Sequence, residues 1–331
     1  MFASIEFMKP DRMPVLYNNS YQPPLFLRGK HLETIFPALF RKVKNMPGCL
    51  RLTHELNDGD KLTYDHYHNN QEKVVIISHG LEGNSKKPYV LGMAKKMLAN
   101  GFDVIAWNFR SCDGKMNNSS RFYHSGATDD LNEIVKIASG QYKKIYLTGF
   151  SLGANLTLKY AGEPISHQNG KIEKIAVICA PLNLKAGSIN IGKKSNMLYE
   201  KRFLRSLKKK VIAKARLMPG QINTGNLSKV RNLYDFDNYF TAPIHGFKDA
   251  DDYYHQCSSI RFVDKIKVET LVLNALNDPM LPQETFDSGV FNSLNSVTLE
   301  LTESGGHCGF PGSDKEGHYW SEKRVLKFFN D

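Results

Sequence analysis

The chain has 331 residues, 41% of them hydrophobic and 23% charged, with a formal net charge of +11. Those proportions belong to a globular protein large enough to bury a sizeable core, and no apolar run approaches the ~20 residues that cross a bilayer as a helix. Five cysteines (Cys49, Cys112, Cys179, Cys257 and Cys308) are odd in number and lack C-x-x-C spacing, which argues against a disulfide framework and for reduced thiols in a cytoplasmic compartment.

Residues 1–50 read as an N-terminal arm that packs on a core. The opening MFASIEFMKPDRMP has no basic-then-apolar order, so no secretory signal is expected there. Tyr21-Gln22-Pro23-Pro24 makes an extended lead-in, and residues 31–40 a short helix interrupted at Pro37. Residues 51–56 and 61–68 alternate around Asn57-Asp58-Gly59-Asp60, the pattern of a β-hairpin. A repeated order of buried strand, polar turn and amphipathic helix follows. Strand 73–78 leads to helix 89–100, stopped by Gly101. Strand 102–107 leads to helix 129–138, with Ser125, Thr128 or Asp129 available as its cap. Beyond the apolar run 145–147 come strands 174–179 and 269–276, helix 282–291, strand 296–301 and a terminal helix 321–330. This alternation predicts an α/β fold, a mostly parallel central sheet with helices on both faces.

Between residues 179 and 269 the alternation stops. Residues 185–264 are basic and helical at first, then rich in aromatics and acids. Such an excursion predicts a mainly helical cap inserted over the C-terminal edge of the strands, where ligands bind in open α/β sheets. The chain then divides into a core with its arm (1–184), the cap (185–264) and the rest of the core (265–331). The aromatics of 234–240 and 247–254 either wall an acyl pocket or pack the cap on the core. Much of the positive charge lies in residues 193–216, which hold a single acid, Glu200. A solvated helix face and peripheral contact with an anionic membrane both fit that stretch. Without aromatic–basic interleaving or a nucleic-acid motif, no nucleic-acid partner is expected.

The chemistry centres on Gly149-Phe150-Ser151-Leu152-Gly153. Strand, G-x-S-x-G and helix make a nucleophile elbow, a turn that lifts the serine hydroxyl clear of the sheet at a helix N-terminus. A serine hydroxyl needs a base and an orienting acid, and in this arrangement both come later, acid first, each on a loop after a strand. Asp278 follows strand 269–276 and fits the acid; His307, in Gly305-Gly306-His307-Cys308-Gly309, follows strand 296–301 and fits the base. The oxyanion donors are assigned to the backbone N–H groups of Leu152 and of Leu81, the latter in the His79-Gly80-Leu81 loop after strand 73–78. His79 is read as structural. His124-Ser-Gly-Ala-Thr-Asp129 has the H-x-x-x-x-D spacing of some acyltransferases, but Asp129 reads as a helix cap and His124 as a loop hydrogen-bond partner. The eleven histidines show no H-E-x-x-H or clustered spacing and no glycine-rich phosphate loop occurs, so no cofactor or metal is implied.

The stretches PPLFLRGKHLETIFP, SHGLEGNS, NFRSCDGKMNNSSRFYHSG, GFSLGAN, FDNYFTAPIHGFKDADDYY, NALNDPMLP and GGHCGF carry a resemblance from about Tyr21 to the C-terminus. The chain resembles the YheT-like branch of the α/β-hydrolase superfamily, which also holds eukaryotic ABHD-type esterases and lipases. The resemblance implies an α/β-hydrolase fold, a Ser151–Asp278–His307 triad, and serine carboxylester hydrolysis of a small acyl ester or lipid through an acyl-enzyme. Acyl transfer to an alcohol or lysolipid is the near alternative, and a non-catalytic lipid or membrane-surface binder the distant one. Three positions depart from the family pattern: Ser111 and Asp113 within its R-G-C-[SG]-G run, Asn277 for a frequent first Asp, and Ala154 for a small glycine.

Overall fold

Strands 73–78 and 102–107 of the sequence reading are apolar almost throughout, and strands of that kind need cover on both faces. The computed structural model describes residues 14–331 apart from Asp287, so the first thirteen residues, on which the reading of the N-terminus rests, lie outside it. Its strands are β1 (Val15–Tyr17), β2 (Leu50–Glu55), β3 (Lys61–Tyr67), β4 (Lys73–Ser78), β5 (Asp103–Asn108), β6 (Lys144–Phe150), β7 (Ile172–Ile178), β8 (Glu269–Ala275) and β9 (Val297–Thr302). They form one sheet in the order β1-β9-β8-β7-β6-β4-β5-β3-β2. β2 and β3 make the expected antiparallel hairpin and β3 runs antiparallel to β5; every other pairing is parallel. All six residues of β5 are buried.

The main helices are α1 (Lys30–Phe40), α2 (Pro88–Leu98), α3 (Thr128–Gln141), α4 (Leu152–Gly162), α5 (Leu184–Ile191), α6 (Met197–Leu217), α7 (Ala250–Cys257) and α8 (Trp320–Asn330). α2 packs with α8 and α3 with α4, and these two pairs supply the cover that the central strands require. β4 is flanked by β5 on one side and β6 on the other, so the chain order reverses there. The loops leaving β4 and β6 therefore splay apart at the sheet's carboxyl edge and open a crevice.

Three expectations need correction, and one strand is an addition. Pro37 does not interrupt α1, which runs on to Phe40 with the proline buried inside it. The carbonyl that Pro37 cannot serve, that of Glu33, is approached instead by Gly309, where a Cβ would stand 1.8 Å from it. Residues 282–291 form only a 3-10 turn, Gln283–Thr285, and one α-turn, Ser288–Phe291, rather than a helix. None of Ser125, Thr128 or Asp129 caps α3: the N-cap is Ala127, without a side-chain bond, and Asp129 and Asp130 favour the helix by charge in its first turn. β1 was not foreseen; it pairs with β9 in parallel register, Val15 opposite Leu299.

Between β7 and β8 the chain is helical and has its own apolar cluster, including Leu204, Val211, Phe236 and Phe240. Its basic helix α6 faces two ways. Lys201, Arg205 and Lys209 are exposed. Lys214 is fully buried and donates to the carbonyls of Asn117 (3.0 Å) and Ser119 (2.6 Å), while Lys210 reaches Glu82 at 2.7 Å. These two lysines fasten the helical segment to the core.

Candidate active site

A serine between β6 and α4 must turn the chain through a conformation that L residues avoid. Ser151 has φ 52° and ψ −117°, and holding a non-glycine residue there costs about 1–3 kcal/mol. The flanking glycines make the turn possible. A Cβ on Gly149 would lie 2.4 Å from the Gly153 carbonyl oxygen, and one on Gly153 2.4 Å from that of His79. With both positions bare, α4 seats against the end of β4, and the Ser151 hydroxyl stands at the positive end of that helix.

The loops after β8 and β9 bring Asp278 and His307 to the same place. Asp278 Oδ2 lies 2.7 Å from His307 Nδ1, and His307 Nε2 lies 2.8 Å from Ser151 Oγ. A carboxylate only accepts, so Nδ1 carries the proton and Nε2 is free to accept from the serine. Asp278 Oδ1 accepts the backbone N–H groups of Met280 (2.8 Å) and Leu281 (3.2 Å), which fixes the carboxylate's direction. Burial disfavours a charged imidazole, but the Asp278 carboxylate outweighs it and holds His307 well above the ordinary imidazole value.

The loop after β4 passes beside the serine: a Cβ on Gly80 would lie 3.3 Å from Ser151 Cβ. Neither the Leu81 N–H nor the Leu152 N–H has a hydrogen-bond partner among the described residues, and both residues line a cavity with Ser151. His79 holds the loop from beneath. Its Nδ1 donates to the Gly80 carbonyl (2.8 Å) and its Nε2 accepts from the Phe109 N–H (3.1 Å), and burial pushes its pKa down to about 3. Glu82, at φ 54°, accepts from the Tyr123 hydroxyl (2.6 Å), Lys210 and the Ser206 hydroxyl, which ties this loop to α6.

Residues 73–313 match the family model described as the alpha/beta hydrolase fold. YheT of Escherichia coli strain K12, a candidate esterase by name, is 32% identical over 309 residues, covering 89% of this chain and 88% of its own. The chain is an α/β hydrolase of the YheT-like branch. A monoacylglycerol lipase of Saccharomyces cerevisiae is 28% identical over 294 residues, covering 85% of the hydrolase and 64% of the lipase. Among solved structures, the Pyrococcus furiosus esterase Pf2001 superposes with a TM-score of 0.58 at 19% identity, covering 88% of the hydrolase and 96% of the esterase, a likeness of fold.

Two cavities meet at Ser151 and His307 in this hydrolase. The first, about 130 Å³, runs beneath the helical segment and is walled by Phe203, Leu207, Val211, Phe236, Phe240 and Ile244. The second, about 370 Å³, opens between α1 and α6, past Ile35, Leu39, Leu198, Tyr199 and Arg202. Phe236 and Phe240 thus both build the helical segment's apolar cluster and wall the cavity.

Several supporting residues escaped the sequence reading. Glu33 of α1, 1% exposed, accepts from the N–H groups of Gly29 (2.9 Å) and Gly305 (2.5 Å) and from Asn277 Nδ2 (3.2 Å). Thr34 Oγ1 accepts the His307 N–H at 2.9 Å, and Asn277 Oδ1 the Gly306 N–H at 2.9 Å. The arm therefore braces the loops that carry Asp278 and His307. Glu33 is the one acid in α1, but nothing in the sequence near it marks it as a brace. Asn277, noted as a departure from the family, works here as an amide bridge that a second aspartate could not make, since it donates to Glu33. Ser111, a second departure, sits at φ 61°, a conformation that explains the glycine usual there.

His124 and Asp129 are not brought together. His124 is buried, lines the first cavity and accepts the Gly126 N–H at 3.2 Å, whereas Asp129 pairs with Arg121 at 2.8 Å. Two groupings among the described residues have the chemistry of metal ligands: Cys179–His307–Cys308 and His66–His68–Asp103. In the second, His68 contacts Asp103 at 2.6 Å and His66 contacts the Tyr142 hydroxyl at 2.6 Å, so each histidine already has a hydrogen-bond partner. In the first, both ring nitrogens of His307 are engaged by Asp278 and Ser151.

Proposed function

We propose that this hydrolase is a serine carboxylester hydrolase that cleaves acyl esters, lipids among them, through an acyl-enzyme on Ser151. The observation that carries the reading is the continuous chain from Asp278 through His307 to Ser151, at 2.7 and 2.8 Å, at the point where two apolar cavities join. Ser151 Oγ attacks the acyl carbonyl while His307 Nε2 takes its proton, and Asp278 stabilises the imidazolium that forms. The N–H groups of Leu81 and Leu152 receive the oxyanion, a contribution of about 10²–10³-fold per donor. His307 then hands its proton to the departing alcohol, and water, activated by the same imidazole, releases the acid.

The narrower cavity takes the acyl chain and the wider one the alcohol portion, and the segment 185–264 is the cap that separates them from water. The names monoacylglycerol lipase and phospholipase among its relatives support a lipid substrate. Exposed Leu198 and Leu217 beside Lys201, Arg205 and Lys209 on α6 support peripheral contact with an anionic lipid surface. Five unpaired thiols fit a reducing, cytoplasmic compartment. A fluorophosphonate probe tests the reading: it should label the wild type and leave Ser151→Ala unlabelled, with p-nitrophenyl esters hydrolysed only by the former. A folded wild type that takes no label would overturn it.

A further inference from the structure

Two cysteines lie against the reactive centre without a part in the reaction above. Cys179 directly follows β7 and is fully buried; Cys308 directly follows His307 and lines the wider cavity together with Ser151. The Cys308 N–H donates to Cys179 Sγ at 3.1 Å. The two sulfurs and a ring nitrogen of His307 all lie within 4.8 Å of one another. Both cysteines hold left-handed backbone, φ 53° and 56°, a conformation that concentrates at functional positions. The other three thiols do not share this arrangement: Cys112 and Cys257 are buried elsewhere, and Cys49 lies near Lys86.

We propose that Cys308 and Cys179 form a hydroperoxide-sensitive dithiol, in which oxidation of Cys308 followed by disulfide closure with Cys179 displaces His307 and stops ester hydrolysis reversibly. The entry route is the substrate's own, since Cys308 faces the open cavity. Burial disfavours the Cys308 thiolate, yet the hydrogen bond from Cys179 and the adjacent His307 outweigh it and bring this thiol down to about 6, so the nucleophilic form is populated at neutral pH. Cys179 is pushed up by burial and remains a thiol.

In the first step the Cys308 sulfur attacks one peroxide oxygen. An S–O bond forms and the O–O bond breaks. Sulfur loses two electrons to the peroxide, whose other oxygen leaves as water or as an alcohol after taking up a proton. In the second step Cys179 sulfur attacks the sulfenic sulfur of Cys308. An S–S bond forms, and the hydroxyl departs as water with the Cys179 proton. A dithiol reductant restores both thiols. A disulfide holds its sulfurs about 2.05 Å apart, so closure draws Cys308 toward β7 and removes the N–H to sulfur bond that now holds the backbone next to His307. A shift of about 1 Å at a catalytic group lowers rates by ~10²-fold.

The test treats purified protein with hydrogen peroxide, alkylates the remaining thiols, and maps them by peptide mass spectrometry alongside the rate of fluorophosphonate labelling. The expected result is one cross-linked peptide pair joining Cys179 to Cys308, with loss of two hydrogens, a labelling rate ~10²-fold lower, and recovery of both on adding dithiothreitol. Cys179→Ala should carry added oxygen on Cys308 and no cross-link. Cys308→Ala should keep its own untreated labelling rate through the same exposure. Wild type in which Cys179 and Cys308 both remain alkylatable, or Cys308→Ala that loses labelling as wild type does, overturns the proposal. Because the thiol map is read on wild type without any ester, it stands or falls separately from the assignment of Ser151.

Discussion

Replacing Glu33 by alanine removes a carboxylate that no substrate touches, and the damage it does can be worked from its partners. Three donors lose their acceptor: the N–H groups of Gly29 and Gly305 and the Asn277 amide. A buried donor left without a partner costs about 1–3 kcal/mol, in full for the buried Gly305 bond and less for those of Gly29 and Asn277, which are only part-buried. With water entering part of the vacated space, the expected loss of stability is about 3–5 kcal/mol, a large share of the ~5–15 kcal/mol that holds a domain folded. Glu33→Gln keeps the volume and one acceptor but turns an amide N–H toward a donor, so its loss should fall between wild type and alanine. Catalysis suffers through position, because Asn277 and Gly305 flank Asp278 and His307. A loosening of about 1 Å there lowers kcat ~10²-fold, with KM changing less. Urea unfolding, followed by the fluorescence of Trp107 and Trp320, measures the first effect, and p-nitrophenyl butyrate hydrolysis the second. If Glu33→Ala unfolds within about 0.5 kcal/mol of wild type and keeps its kcat, the arm does not brace the site and the reasoning fails.

Two further outcomes follow from the site. On the proposed mechanism His307 accepts the serine proton only when neutral, and Asp278 raises its pKa above the ordinary 6.5. The kcat/KM of the wild type should therefore climb with pH through a midpoint above 6.5. In Asp278→Asn the imidazolium loses its counter-charge while burial persists, so the midpoint should move down as kcat drops ~10⁴-fold; an unmoved midpoint would show that Asp278 does not govern His307. Ile244→Trp should fill part of the narrower cavity. Each methylene excluded forfeits about 0.8 kcal/mol, so kcat/KM should fall steeply for long acyl esters and little for acetate; equal losses for both would place the acyl chain elsewhere.

Much of the sheet was legible because a buried parallel strand is a contiguous apolar run, as in Lys73–Ser78, and because the loop bearing Asp278 follows a strand with such a run and the loop bearing His307 follows one that alternates apolar and polar residues. What escaped depends on partners remote in sequence. Three residues at Val15–Tyr17 carry no strand signal of their own; they are a strand because Leu299–Leu301 lie beside them. Glu33 reads as one more helix acid until Gly305 is seen against it. Charge in α6 was visible, but not that Lys210 and Lys214 point inward, since composition does not say which face of a helix meets the core. The expected caps of α3 failed for the opposite reason: the signal was local, and the loop geometry before Thr128 overrode it.

The bond between Glu33 and Gly305 joins residues 272 positions apart. On a ribosome the serine elbow emerges long before the histidine loop, and the Glu33 carboxylate has no Gly305 N–H to accept until 272 further residues are made. On the proposed mechanism a partly synthesised chain therefore holds an inert hydroxyl, and reactivity arrives only when α1 and the loop after β9 close on each other. Such late completion means that a break beside Glu33 or Gly305 parts this brace while leaving the serine elbow intact.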